Sequence, residues 1–180
     1  MDDYFLTADY SPYLRTKSVF ILAHEMGHMW WGNLIHTEWW GGVWIKESMA
    51  EILGMLVLHQ YDKLENPSDP HSLNFKLFWE RRKYDGLVYD NILSLDSTYE
   101  GIDKKAESIN EAHTCYEDDT YGKSFAVVLE FFSLICPDKN NEKYTGIKKF
   151  WKVSLDKFKC KGMSPDDFLS LSKEISEIGS

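Results

Sequence analysis

Two histidines and a glutamate stand close together in the segment FILAHEMGHMWWGNL, residues 20–34. His24 and His28 are four residues apart, so in a helix both imidazoles lie on one face and can bind one metal ion. Zinc accepts imidazole nitrogen readily, and a catalytic zinc keeps three protein ligands and a water. Glu25 lies where it can reach that water rather than the metal. The pattern alone leaves two interpretations open: a zinc site, and a buried helix with a few satisfied polar groups.

A third candidate ligand follows on the next predicted helix. Eighteen residues separate His28 from Glu47, which lies in the segment VWIKESMAE. Two consecutive glycines between them favour a turn that brings the second helix back beside the first. His24, His28 and Glu47 would then form a ligand set for one zinc ion per chain, with an open fourth position. Glu51, one turn further along, is expected to lie near the ligands or in solvent rather than to bind the metal.

The elements that position these residues are predicted to be mainly α-helical. The first helix begins near Thr16 or Ser18, both good caps, and is apolar nearly all round through Trp31, so we expect it to be buried. The last helix has a capping pattern, with Ser164 as the cap and Asp167 three residues later. Short elements and loops are expected over 86–120. The predicted helices cover about 16–31, 44–61, 70–85, 122–135, 143–158 and 165–177.

The composition argues against some classes of protein. The formal net charge is −9, whereas a nucleic-acid surface needs clustered Lys and Arg. The longest apolar stretch, Phe125–Cys136, is too short to span a bilayer, so we expect no membrane span in this chain. The first residues lack the basic and apolar regions of a leader, and a cytoplasmic protein is expected. A membrane-anchored ectoenzyme stays open if a longer protein carries an upstream anchor.

A basic stretch, Lys148–Lys161, alternates lysines with apolar residues such as Phe150 and Trp151. This pattern fits a helix that lies on a membrane surface. It also fits a core-facing helix with a solvated lysine face, which is the interpretation we favour.

The surroundings of the histidines carry a family resemblance. The block HEMGHMWWGNLIHTEWWGGVWIKESMAE, residues 24–51, closely resembles the signature of the zinc aminopeptidases. That family includes membrane alanyl aminopeptidase, puromycin-sensitive aminopeptidase and leukotriene hydrolase. These gluzincin enzymes combine H-E-x-x-H, eighteen residues and Glu with W-x-G-N-L and E-W-W elements, and this chain has each of them. One departure is the run Lys46–Glu47–Ser48, where the family usually has N-E-G.

A second element resembles the same family further downstream. The segment DDTYGKSFAVVLEFF, residues 118–132, is similar to the family's Y-x-K-G element, although Ser124 stands in place of the final glycine. The resemblance implies that Tyr121 stabilises the oxyanion and that Glu25 is the catalytic base. It also implies the zinc ligands His24, His28 and Glu47.

Other parts of the family pattern are absent from these 180 residues. The G-x-M-E-N segment, whose glutamate binds the substrate's free amine in the family, does not occur. We therefore interpret the chain as a partial catalytic domain, the helical part of a thermolysin-like fold without its N-terminal β portion. Missing N-terminal and C-terminal domains of a full-length enzyme are expected as partners. The expected parts are an extended lead-in at 1–18, zinc-binding helices at 19–62, a variable segment at 63–120, and helices following the tyrosine at 121–180.

The resemblance implies zinc-dependent hydrolysis of peptide bonds, with release of N-terminal amino acids from peptide substrates. Two alternatives stay open. One is another gluzincin hydrolase, such as an endopeptidase. The other is a catalytically incomplete fragment that binds zinc without turnover.

Overall fold

The computed structural model describes residues 11–62, 75–93, 102, 106–116, 118–135 and 144–179. Over these ranges the chain is mainly α-helical, which confirms the predicted fold class. None of the helices there is both long and apolar enough to cross a membrane. The helices are α1 (Pro12–Gly27), α2 (Val43–Asp62), α3 (Phe75–Leu93), α4 (Asp118–Ile135), α5 (Thr145–Phe158) and α6 (Pro165–Gly179).

Two short strands and two 3-10 turns lie between the helices. Strands β1 (Ile35–Thr37) and β2 (Lys161–Met163) pair in parallel, with Ile35 opposite Lys161. The 3-10 turns, Trp40–Gly42 and Ala112–Tyr116, precede α2 and α4. The sequence analysis did not predict the strands, because a three-residue strand is too short to show a period of two.

Helix α2 lies at the centre of the packing and contacts α1, α3 and α4. Its apolar side chains recur every three or four residues, as the sequence predicts, and face one continuous core. Each of them is at most 1% exposed: Ile45, Met49, Ile52, Met55 and Leu58. The later helices close the same core with aromatic side chains, which are Phe125 and Phe132 of α4, Phe150 of α5 and Phe168 of α6.

Helix α1 begins and ends earlier than the sequence predicts. The Ser11 hydroxyl accepts a hydrogen bond from the Leu14 N–H at 3.4 Å, and Pro12 occupies the first turn. The helix ends at Gly27 rather than near Trp31. The Trp31 ring is 1% exposed and stacks on Phe150 with ring centroids 6.0 Å apart. Burial of this indole draws the chain away from the helix axis after Gly27.

The prediction that α1 is buried all round is wrong. Leu22 and Met26 are 61% and 57% exposed, whereas Phe20, Ala23 and His24 are buried. The helix buries the face that packs on α2, and this face carries the first histidine. The apolar composition of α1 therefore overstates its burial in the described part of the chain.

Helices α1 and α2 approach each other closely at two glycines. A Cβ atom at Gly27 would lie 3.2 Å from the Ala50 Cα, and one at Gly54 would lie 2.9 Å from the Phe20 ring. The absence of a side chain at these positions lets the two backbones come together. This close approach brings the histidine face of α1 over the glutamates of α2.

The boundaries of α3 and α4 also differ from the predictions. Helix α3 extends to Leu93, so the expectation of loops from residue 86 is wrong over 86–93, and residues 70–74 lie outside the described ranges. Helix α3 continues through Gly86 although a glycine inside a helix costs about 1 kcal/mol. Helix α4 begins at Asp118, which places Tyr121 in its first turn.

Candidate metal centre and catalytic site

Three predicted ligands converge on one point between α1 and α2. The Nε2 atoms of His24 and His28 each lie 3.3 Å from the same carboxylate oxygen, Oε2 of Glu47. Ligand atoms of the three residues all lie within 4.8 Å of one another. His28 is the C-cap of α1 and keeps right-handed helical dihedral angles, so it stays on the face of His24 although the helix ends at Gly27. The four-residue spacing therefore places both imidazoles on one face, as the sequence predicts.

Each of the three side chains also makes a contact on the side that faces away from the other two. The Nδ1 atom of His28 lies 2.9 Å from the Trp31 carbonyl oxygen, which can only accept a hydrogen bond. The Lys46 ammonium lies 3.0 Å from Oε1 of Glu47. On the other histidine, Nδ1 of His24 lies 3.5 Å from Glu51. The Nε2 atoms of His24 and His28 and the Oε2 atom of Glu47 are therefore the groups that face one another.

Charges around Glu47 keep its carboxyl group ionised. Burial raises the pKa of Glu47, but the two facing imidazoles and the Lys46 ammonium outweigh burial and hold this pKa well below its usual range. Burial lowers the pKa of His28, and its contacts with Glu47 and the Trp31 carbonyl outweigh that effect, so the pKa is raised. Glu47 is therefore a carboxylate at neutral pH.

The donor set fits a zinc ion. Oε2 of Glu47 is buried and makes no hydrogen bond of good geometry with any described residue, although two imidazole nitrogens lie 3.3 Å away. A buried carboxylate oxygen without a partner is costly, and a cation among the three atoms would remove that cost. Two imidazole nitrogens and one carboxylate oxygen are the ligands of a common class of catalytic zinc site. Among the described residues this is the one group of His, Cys, Asp or Glu found close enough to hold a metal ion.

A cavity of about 400 Å³ adjoins the ligand cluster. His24, Glu25 and Tyr121 line it together with Phe20, Phe78 and a basic group of side chains from α1 and α3. Glu25 is exposed towards solvent, so its carboxylate is open to a small molecule in the cavity. The Tyr121 ring centroid lies 6.1 Å from that of His24. Glu25 and Tyr121, to which the family resemblance assigns catalytic roles, thus line the same cavity as the candidate zinc ligand His24.

The tyrosine is held in its protonated form. Burial raises the pKa of Tyr121 far above its usual range, and the negative charge of Glu47 raises it further. Its hydroxyl therefore keeps its proton at neutral pH and can donate a hydrogen bond.

Some contacts of the site were not predicted from the sequence. Lys46 occupies the position where the family pattern usually has asparagine. Its ion pair with Glu47 was not predicted from the sequence. Glu51 lies on the Nδ1 side of His24 and is outside the ligand cluster, as expected. Its partner Arg82 was missed altogether, because the two residues are 31 positions apart. No local signal in the sequence identifies such a pair.

Comparison with known proteins agrees with this geometry. The profile of the Peptidase family M1 domain matches residues 3–179. The chain is 29% identical over 142 residues to Aminopeptidase N of Haemonchus contortus, which covers 78% of this chain and 14% of that protein. It is 25% identical over 168 residues to Leucyl aminopeptidase of Saccharolobus solfataricus, which covers 93% of this chain and 19% of that protein.

A human protein, Endoplasmic reticulum aminopeptidase 2, is 26% identical over 153 residues, covering 83% of this chain and 14% of its own length. The chain thus spans less than a fifth of the length of these three relatives. The profile, by contrast, covers almost the whole chain, and the residues that carry the resemblance lie inside the matched range. The chain therefore belongs to peptidase family M1.

Proposed function

We propose that His24, His28 and Glu47 bind one zinc ion per chain, and that Glu25 and Tyr121 use this site to hydrolyse peptide bonds. The observation that carries the proposal is the convergence of both Nε2 atoms on a single carboxylate oxygen beside a cavity. The names of the relatives support aminopeptidase activity, which releases N-terminal amino acids from peptides.

Zinc, when bound, supplies Lewis acidity at the scissile carbonyl and lowers the pKa of water. The Glu25 carboxylate acts as the general base, accepting a proton from the attacking water at one of its oxygens. It then delivers this proton to the nitrogen of the leaving amine. Its position next to His24 but exposed to the cavity suits this role, since it is free to reach both the water and the amine.

Tyr121 stabilises the negative charge that develops on the carbonyl oxygen. Its raised pKa keeps the hydroxyl protonated, so the group can donate a hydrogen bond when the oxyanion forms. The first turn of α4 holds the tyrosine beside the cavity, and a donor fixed before the reaction costs no reorganisation in the transition state.

One alternative has an observation in its favour. Leu22 and Met26 of the zinc-binding helix α1 and Met29 just after it are 57–61% exposed, which is the pattern of a surface that another segment or partner covers. The alternative is a zinc-binding fragment without turnover. The proposed enzyme and this fragment differ in hydrolysis and agree in zinc content, so one experiment separates them.

The test combines zinc content with hydrolysis of aminoacyl fluorogenic substrates. We expect the chain to bind zinc and to turn over these substrates. Glu25→Gln should keep the zinc but lose activity by about 10²–10⁴-fold, the usual contribution of a general base. Glu38→Gln, which removes an exposed carboxylate from the end of β1, is the matched control and should keep both properties.

Three outcomes contradict the proposal or part of it. Activity retained in Glu25→Gln removes the assigned base. Zinc bound without turnover in the unchanged chain favours the zinc-binding fragment. Absence of zinc from the unchanged chain overturns the metal site itself.

A further inference from the structure

The second ring nitrogen of His24 faces a buried acidic group. Glu51 lies one turn after Glu47 on α2, and its side chain is only 3% exposed. Its Oε1 atom is 3.5 Å from Nδ1 of His24. Nδ1 of His24 is buried and makes no hydrogen bond of good geometry with the described residues, and a contraction of roughly 0.5 Å would bring it to ordinary bonding length from Glu51. Glu51 thus faces the side of the imidazole opposite the ligand cluster.

A residue of a third helix holds Glu51 in place. Nε of Arg82 donates to Oε2 of Glu51 at 2.9 Å, and Nη2 donates to Oε1 at 2.6 Å. Two parallel bonds of this kind fix both the position and the plane of a carboxylate. The guanidinium also lies over the Phe20 ring, with its Cζ atom 5.8 Å from the ring centroid. Arg82 supplies the positive charge that a carboxylate as buried as Glu51 requires.

The two histidines are oriented by different means. His28 is held by the Trp31 carbonyl, three residues away in the same turn of chain. His24 has no backbone acceptor among its described contacts and meets a side chain of α2 that is clamped from α3. The orientation of His24 therefore depends on three helices, and that of His28 on one short segment.

We propose that Glu51 and Arg82 are positioning residues for the metal centre, a proposal that rests on the zinc site above. Glu51 accepts the Nδ1 proton of His24, which selects one tautomer and leaves the Nε2 lone pair free to bind the zinc ion together with His28 and Glu47. Arg82 holds the accepting carboxylate at the right place. Partners of metal-bound histidines fix the ring in this way and raise the affinity of the site.

Replacement of Glu51 by glutamine tests the first part. Two N–H groups of Arg82 donate to this carboxylate and the proposed Nδ1–H of His24 would be a third, whereas an amide has a single oxygen to offer them. We expect Glu51→Gln to weaken zinc binding by about 10–100-fold, the usual effect of removing such a partner. Zinc dissociation constants are measured by competition with a chromophoric chelator. Glu80→Gln, an exposed carboxylate of α3, is the matched control and should bind zinc as the unchanged chain does.

Replacement of Arg82 tests the second part. Arg82→Gln leaves Glu51 without its clamp and should weaken zinc binding, whereas Arg82→Lys keeps the charge and should recover part of the loss. Arg82→Gln alone leaves a buried carboxylate unpaired and can destabilise the fold. The double variant Glu51→Gln/Arg82→Gln removes both charges, so its zinc affinity is compared with that of the unchanged chain without this loss of stability. Lys76→Gln, an exposed cation of α3, is the control.

A spectroscopic measurement separates positioning from general stability. Long-range ¹H–¹⁵N correlation spectra of the zinc-loaded chain should show the Nδ1 proton of His24 in a hydrogen bond, and Glu51→Gln should shift this resonance while that of His28 stays unchanged. Failure of the unchanged chain to bind zinc would overturn the proposed function. In a chain that binds zinc, a zinc affinity unchanged in Glu51→Gln, or a His24 resonance that this variant leaves unshifted, overturns the positioning role alone.

Discussion

The α1–α2 pair and the α5–α6 pair are held together by different kinds of contact. Between α1 and α2 the chain buries charged and ionisable groups, with His24 and Glu47 at 6% and 1% exposure. Between α5 and α6 it buries aromatic side chains, with the Phe150 and Phe168 ring centroids 5.0 Å apart. Buried charges cost free energy unless each is paired, and Lys46 and Arg82 pair the two buried glutamates of α2. The α5–α6 pair stabilises the fold.

The difference shows in the helices themselves. Helix α5 buries Ile147 and Phe150 and exposes Lys148 and Lys152, which confirms the core-facing helix with a solvated lysine face. Helix α1 buries its histidine face and exposes Leu22 and Met26. Amphipathic patterning thus describes the structural pair α5–α6 well and also describes α2, but it fails for α1, the helix that carries the two histidines.

The largest expected loss of stability lies in the structural pair. Phe168→Ala removes a ring that is 1% exposed and packs against Trp44 and Phe150, so it should reduce the free energy of unfolding by about 3–5 kcal/mol. Urea denaturation of the metal-free chain measures this. Leu169→Ala, the exposed neighbour, is the control and should have a small effect. A loss of zinc affinity in the folded Phe168→Ala chain would show that the two pairs are not independent.

The largest expected loss of activity lies in the site pair and its neighbour α4. Tyr121→Phe removes the oxyanion donor and should lower kcat by about 10²–10³-fold, with zinc content and Tm unchanged. Steady-state kinetics and metal analysis measure both effects. Tyr84→Phe, an exposed tyrosine of α3, is the control. If Tyr121→Phe lowers Tm and kcat together, the tyrosine is a packing residue and not a hydrogen-bond donor to the reaction.

A methyl group added at the α1–α2 contact should lower the stability of the fold by less than Phe168→Ala does. In Gly54→Ala the new Cβ would lie 2.9 Å from the Phe20 ring and 3.3 Å from the Phe20 carbonyl oxygen. Overpacking of this kind costs about 1–3 kcal/mol, which exceeds the gain of up to about 1 kcal/mol in helix propensity. Thermal denaturation should show a lower Tm than for Gln60→Ala on the exposed face of the same helix. A raised Tm would mean that α1 and α2 have room between them.

Removal of the cap of α6 should cause the smallest of the predicted losses of stability. Ser164 and Asp167 bond reciprocally: the Asp167 N–H donates to the Ser164 hydroxyl at 3.1 Å, and Oδ2 of Asp167 accepts from the Ser164 N–H at 3.0 Å. Ser164→Ala should reduce the free energy of unfolding by about 1 kcal/mol. Chemical denaturation at neutral pH measures this difference, and an unchanged value would show that the cap contributes nothing.

The same cap predicts a pH dependence. Hydrogen bonds from the side chain and backbone of Ser164 lower the pKa of Asp167 from its ordinary value of 3.8. The stabilisation is therefore complete above pH 3.8 and is lost as the pH falls through the lowered folded-state pKa. The stability difference between the unchanged chain and Asp167→Asn should narrow over that acidic range. A difference that is constant with pH would contradict the capping role of the carboxylate.

Local signals in the sequence predicted the elements whose causes are local. The start of α6 follows from Ser164, Pro165 and Asp167, which act within four positions of one another, and the structure places the helix start at Pro165. The two ends of α2 were predicted within about one residue, since its apolar positions repeat regularly. The end of α1 was misplaced, because it depends on the burial of Trp31 against Phe150 of α5.

The candidate site divides in the same way. The H-E-x-x-H spacing and the family resemblance indicated all three ligands, and the structure brings their donor atoms together. The contact of Arg82 with Glu51 could not be predicted, because tertiary packing joins residues that are 31 positions apart. The ion pair between the adjacent residues Lys46 and Glu47 was not foreseen either. The division of the chain at residues 18, 62 and 120 stays a prediction, as do the roles of Glu25 and Tyr121.

The most direct test of the account is a zinc count on the isolated chain. After removal of metal by a chelator and reloading with zinc, elemental analysis should find one zinc ion per chain. The double variant His24→Ala/His28→Ala, treated identically, should retain none while remaining folded by circular dichroism. A chain that binds no zinc, or a folded double variant that binds as much as the unchanged chain, would contradict the metal centre on which the proposed function rests.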